Sequence, residues 1–161
     1  MGEAHEFDQQ IREAFGTQFA LERELPGGGM SRVYLATERA LNRKVVIKVL
    51  PPELAAGVNR ERFRREIQLA AQLQHPHIVP LYAAGAHGDL LYYTMPFIEG
   101  ESLKHALYGE RPQRFTPRDV MRILQDVVDA LAYAHGRGVI HRDLKPQNIM
   151  VGEFGEVLVM D

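Results

Sequence analysis

One stretch constrains the fold more than any other: Val45-Val46-Ile47-Lys48-Val49-Leu50, set between the turn signal Asn42-Arg43 and the stop Pro51-Pro52. It reads as a buried strand. Side chains alternate across a strand, so Val46, Lys48 and Leu50 share one face while Val45, Ile47 and Val49 share the other. Both faces are apolar, so the Lys48 ammonium enters a buried setting. An unpaired charge there is costly or loses its proton. Either Lys48 is held toward an anion, or its stem snorkels to water.

The surroundings of this strand define the rest of the architecture. Residues 1–16 suggest a short helix carrying Phe7, Ile11 and Phe15 at spacings of four. Phe19–Leu25 and Arg32–Thr37 read as strands around the breaker Pro26-Gly27-Gly28-Gly29. Residues 59–74 read as a helix with Phe63, Ile67, Ala70 and Leu73 at helical spacing, ended by His75-Pro76. Ile78–Ala84 and Leu90–Ile98 read as two more strands split by a Gly85–Gly88 turn, and Glu99-Gly100 as a linker. Thr116-Pro117-Arg118-Asp119 caps a long helix running to His135, which Gly136 and Gly138 stop. A polar loop, His141 to Asn148, lies between two short apolar runs, and a strand at Val157–Met160 closes the chain. Strands with one inserted helix followed mainly by helix predict an α+β fold in two lobes. The expected divisions are an extension at 1–17, a first lobe at 18–98 and a partial second lobe at 99–161.

Composition excludes several classes. With 45% hydrophobic and 25% charged residues the chain is a globular protein, not a disordered one. Nineteen basic against 21 acidic residues give a formal net charge of -2, which argues against a nucleic-acid partner held by phosphate neutralisation. The absence of cysteine rules out disulfides and thiolate zinc sites, and fits a reducing, cytoplasmic setting. No apolar run approaches the roughly 20 residues needed to span a bilayer. The polar start is not a signal peptide.

Three further features carry chemistry. Glu66 stands at offset 3 from Phe63, inside the apolar stripe of the 59–74 helix, or else at a solvated edge beside Arg62 or Arg65. An acid and a lysine misplaced on neighbouring elements, eighteen residues apart, are economically explained as a pair. The glycine run at 27–29 lets backbone N–H groups approach phosphate oxygens, though most such runs are hairpin turns. His141-Arg142-Asp143-Leu144-Lys145-Pro146-Gln147-Asn148 places an acid, a lysine and an amide two and three residues apart. Phosphoryl transfer needs an acceptor for the hydroxyl proton, a cation for the moving charge and oxygen ligands for Mg²⁺. Asp143, Lys145 and Asn148 can supply them, and Asp161 can add a carboxylate.

These motifs make the chain, from about Phe19 to Asp161, resemble the eukaryotic-type protein kinases of the serine/threonine branch, with a glycine loop most like bacterial members. The resemblance implies ATP and Mg²⁺ as cofactors and a protein bearing Ser or Thr as partner. It makes Lys48 the ATP-orienting lysine and Glu66 its helix partner. Asp143 becomes the base, with Lys145 beside it, and Asn148 and Asp161 the metal ligands. It places Leu25, Gly27, Gly28, Gly29, Ser31 and Val33 around the nucleotide. Met95 becomes the gatekeeper, followed by a hinge Pro96-Phe97-Ile98 whose backbone meets adenine.

The sequence departs from the family where Pro26 and Ser31 replace the first and third loop glycines; Pro26 has no N–H and a fixed φ. About a hundred further residues would complete such a domain beyond Asp161, and a membrane span lies downstream in many bacterial relatives. The 117–135 helix is therefore expected to expose apolar surface. The rival reading is a pseudokinase, or a fragment that binds nucleotide or a partner without turnover. His75-x-His77 lacks the further ligands a metal site needs.

Overall fold

A computed structural model of the chain describes residues 2–26, 31–52, 57 and 60–160. The expectations for Gly27, Gly28, Gly29 and Asp161 fall outside them. The chain forms two compact units, Met1–Ile67 with Leu81–Phe97, and Gln68–Pro80 with Ile98–Asp161. The class is α+β, as expected. No helix among the described residues is long and apolar enough to cross a membrane.

The first unit is built on a five-stranded antiparallel sheet. Its strands are β1 (Phe19–Leu25), β2 (Arg32–Glu38), β3 (Arg43–Leu50), β4 (Ala83–His87) and β5 (Leu90–Pro96), in the order β1-β2-β3-β5-β4. The apolar run thus occupies the central strand, paired with β2 on one side and β5 on the other. The face carrying Val45, Ile47 and Val49 forms a core with Tyr34, Ala36 and Leu90. Helix α1 (Gly2–Phe15) adds Ile11 and Phe15, 0% and 3% exposed, to that same core. The segment expected as an extension therefore contributes to the centre of the unit.

Two strand boundaries differ from expectation. Ile78–Ala84 is not one strand. Val79 donates to Val159 and Ile78 makes a parallel bridge to it, in the second unit, whereas Ala83 opens β4 in the first. Pro80, with no N–H to give a ladder, separates the two. The hairpin between β4 and β5 is also tighter than expected. His87 pairs with Leu90, so only Gly88, at φ 58°, and Asp89 make the turn.

Helix α2 (Arg60–Ala71) has no buried residue. The stripe that reaches half-burial is Phe63, Ile67 and Ala70. Leu73 lies past the end of the helix, and at 100° per residue Glu66 then falls about 40° outside the stripe. Glu66 is accordingly 59% exposed rather than buried.

The second unit pairs β6 (Gly100–Ser102), β7 (Ile149–Gly152) and β8 (Val157–Val159) in an antiparallel sheet, with a short helix α3 (Leu103–Tyr108). The expected linker at Glu99-Gly100 is thus partly strand. Gly100, at φ 151°, pairs with Gly152, and a Cβ there would lie 2.2 Å from the Val151 carbonyl oxygen. Helix α4 (Pro117–Gly136) packs Ile123, Val127 and Ala130 against Ile149, Val157 and Val159. Both of its ends follow from sequence. Thr116 and Asp119 form a reciprocal capping box with Pro117 at the first turn. At the other end Gly138, at φ 77°, donates to His135 while Val139 donates to Ala134, each at 3.0 Å.

Candidate functional site

The described candidate residues fall into two groups, one on the first unit and the stretch that leaves it through Ile98, the other in a loop of the second unit. In the first, Lys48 is half-buried at the centre of the sheet, opposite Val33 of β2 and Tyr93 of β5. Its Nζ stands 5.7 Å from the centre of the Tyr93 ring, within cation–π range. A central strand is bonded on both sides, so the backbone of Lys48 has no freedom of register. Leu25 ends β1 opposite Val33, and Pro26 follows as an exposed bend. Ser31 and Val33 are half-buried at the start of β2. Met95 is 7% exposed opposite Val46, and Pro96 pairs with Val45. Phe97 closes the first unit and Ile98 opens the second. Glu66 receives the Arg62 Nε at 3.2 Å, one turn back on its own helix. The edge position beside an arginine is therefore the one Glu66 occupies.

The second group is the loop from His141 to Asn148. Arg142 has φ 67°, a left-handed conformation rare for a non-glycine residue and common near functional sites. That reversal brings the Asp143 N–H to His141 Nδ1 at 3.2 Å. A ring nitrogen accepting from an N–H carries no proton, so the proton sits on Nε2, which donates to the Met160 carbonyl at 2.6 Å. Lys145 is extended, and Pro146 starts a 3₁₀ turn to Asn148. The loop closes on itself: Asn148 Nδ2 donates to the Asp143 carbonyl at 2.9 Å, and Lys145 Nζ lies 3.1 Å from the Asp143 carboxylate. Met160 N–H donates to the Asn148 carbonyl at 2.8 Å. Asn148 and His141 thus hold Met160, the residue just before Asp161, from both its N–H and its carbonyl.

Asp143 and Lys145 are exposed, 69% and 45%. An exposed carboxylate with a cation at 3.1 Å can accept a proton from a hydroxyl while the cation faces anionic oxygens. Asn148 spends its nitrogen on the backbone, which leaves its amide oxygen as the atom for a hard cation. Sequence reasoning gave His141 no task. The available signal was a histidine two residues ahead of an acid, where a ring nitrogen can take the acid's own N–H. His75 and His77 are used locally. His77 N–H donates to His75 Nδ1 at 3.1 Å, while His77 Nδ1 bonds the Val157 carbonyl at 2.8 Å and Nε2 lies 3.5 Å from Asp126.

Comparison with known proteins gives the family and the fold. The family model described as Protein kinase domain matches residues 19–161. Serine/threonine-protein kinase PknD of Chlamydia muridarum is 40% identical over 154 residues, covering 89% of this chain and 16% of that protein. Serine/threonine-protein kinase PrkC of Bacillus subtilis is 38% identical over 145 residues, covering 89% of this chain and 22% of that protein. The crystal structure of the Mycobacterium tuberculosis PknI kinase domain superposes with a TM-score of 0.78 at 32% identity, covering 89% of this chain and 57% of that one. The chain therefore spans under a quarter of these curated relatives' length and a little over half of the solved domain.

Proposed function

The chain belongs to the protein kinase domain family, and from that premise we propose that it forms the nucleotide-binding and catalytic-loop portion of a serine/threonine protein kinase. The carrying observation is the closed loop in which Asp143, 3.1 Å from Lys145, accepts Asn148 on its own carbonyl. In the proposed reaction a serine or threonine hydroxyl oxygen bonds to the γ-phosphorus of ATP. The bond from that phosphorus to the bridging oxygen breaks, ADP leaves with the electron pair, and the hydroxyl proton passes to the Asp143 carboxylate. Lys145 faces the charge on the transferred oxygens, and Lys48 orients the α and β phosphates. Glu66 exchanges Arg62 for Lys48 in this reading. Leu25, Val33, Met95 and the backbone of Pro96 and Ile98 border the base. Asn148 and Asp161 hold Mg²⁺, which when bound neutralises phosphate charge.

Asp143→Asn tests the assignment. In protein carrying this chain, phosphoryl transfer to a serine or threonine peptide is expected to fall about 10²–10⁴-fold. Mg·ATP affinity, read by calorimetry, is expected to change little. Equal loss of both counts against Asp143 as the base. For these 161 residues alone, weak Mg·ATP binding and no peptide phosphorylation are expected, since they span 57% of the solved domain. Pro26 favours a second reading, a nucleotide-binding module without turnover. Turnover that Asp143→Asn abolishes excludes it.

A further inference from the structure

Helix α1 carries a polar cluster that the proposed chemistry does not use. Asp8 Oδ1 accepts Arg32 Nη2 at 2.8 Å and the Tyr34 hydroxyl at 2.9 Å. The same guanidinium bonds Glu24 through Nε at 3.0 Å and Nη2 at 2.7 Å. It lies 5.1 Å from the Phe7 ring centre and 5.5 Å from that of Tyr34. Arg32 is 21% exposed although it stands at the start of a strand.

The placement of the cluster is informative. Glu24 precedes Leu25 at the end of β1, and Arg32 precedes Val33 at the start of β2. One guanidinium therefore ties the two strand ends on which Leu25 and Val33 stand, and Val33 is the residue opposite Lys48. Asp8 orients that guanidinium from 24 residues earlier in the chain. Helix attachment does not require it, because Ile11 and Phe15 already anchor α1 in the core. A bidentate arginine–carboxylate pair extended by a second carboxylate is a geometry in which an ion pair carries real directional weight.

We propose that Asp8 is a positioning residue: through Arg32 it sets the strand ends bearing Leu25 and Val33, so that nucleotide affinity depends on α1. The proposal rests on the kinase reading for its nucleotide, but not for its geometry.

The test compares the wild-type chain with Asp8→Ala, Asp8→Asn and Asp8→Glu, and with Ile11→Val as a core variant that leaves the cluster intact. Three quantities are read: Mg·ATP affinity, thermal midpoint, and amide exchange at Leu25, Arg32 and Val33. Asp8→Ala and Asp8→Asn are expected to speed exchange at Arg32 and Val33 and to weaken affinity about tenfold. Asp8→Glu restores most of both, whereas Ile11→Val lowers the midpoint without changing affinity. If Asp8→Ala does not fold, Asp8→Asn decides. Unchanged exchange at Arg32 and Val33 overturns the proposal, as does an affinity loss that Ile11→Val reproduces at equal midpoint. If the wild type binds no Mg·ATP, the nucleotide half of the kinase reading fails instead, and the exchange data still decide the positioning role.

Discussion

Tyr34 is 5% exposed, and its hydroxyl donates to Asp8. Burial, with the Asp8 bond second, pushes its hydroxyl well above the ordinary tyrosine value. The folded chain then holds this proton at pH values where the unfolded chain has released it. The corresponding stability is complete below about pH 10 and declines as pH rises beyond it. Tyr34→Phe is expected to cost about 1.5 kcal/mol near neutral pH and to flatten alkaline unfolding, read from denaturation midpoints between pH 8 and 11. Equal slopes in the two proteins would refute this. The half-buried place of Lys48 on a central strand was legible because a lysine in an apolar run is anomalous. Asp8 was not, because an acid on an amphipathic helix is ordinary until a strand arginine is seen beside it. Glu66 misled because a helical stripe counted past the helix end admits a residue that the real face excludes.

Among the elements, α4 came through most fully from local sequence. Its capping box has Asp119 accepting from both the N–H and the hydroxyl of Thr116, each at 2.8 Å. Those bonds, the backbone one foremost, hold the Asp119 carboxyl below the usual range. Its folded value is lower than its unfolded one, so its contribution is present above about pH 4 and is lost as pH falls through the folded value. Thr116→Ala is expected to cost about 1 kcal/mol in urea unfolding. Asp119→Asn is expected to remove part of the acid dependence below pH 4, and an unaltered acid limb would contradict it. Gly138→Ala places a Cβ at φ 77° and is expected to cost about 1–2 kcal/mol. The strands were less legible. The segment from Ile78 to Ala84 is apolar throughout, and only the ladder partners show that its two ends serve different units.

At the scale of the whole molecule, α4 has two apolar faces and covers one. Ile123, Val127, Ala130 and Ala134 are buried, while Met121, Leu124 and Val128 are 66%, 53% and 59% exposed. The expected exposed apolar surface is therefore present. A hydrophobic dye is expected to bind the chain, and Leu124→Lys with Val128→Glu to reduce that binding without lowering helix content by circular dichroism. Undiminished dye binding by the double variant would place the surface elsewhere. Sequence alone determined the elements whose signals are local: a central strand apolar on both faces, a helix bracketed by its caps, and a loop whose acid, lysine and amide stand at short separations. Backbone geometry and side-chain alternation act over a few residues, so those patterns can be read directly. Only the tertiary structure decided which strand ends share a guanidinium with Asp8, and that α1 belongs to the core. Each of these depends on contacts between residues far apart in the chain, and no local pattern encodes them.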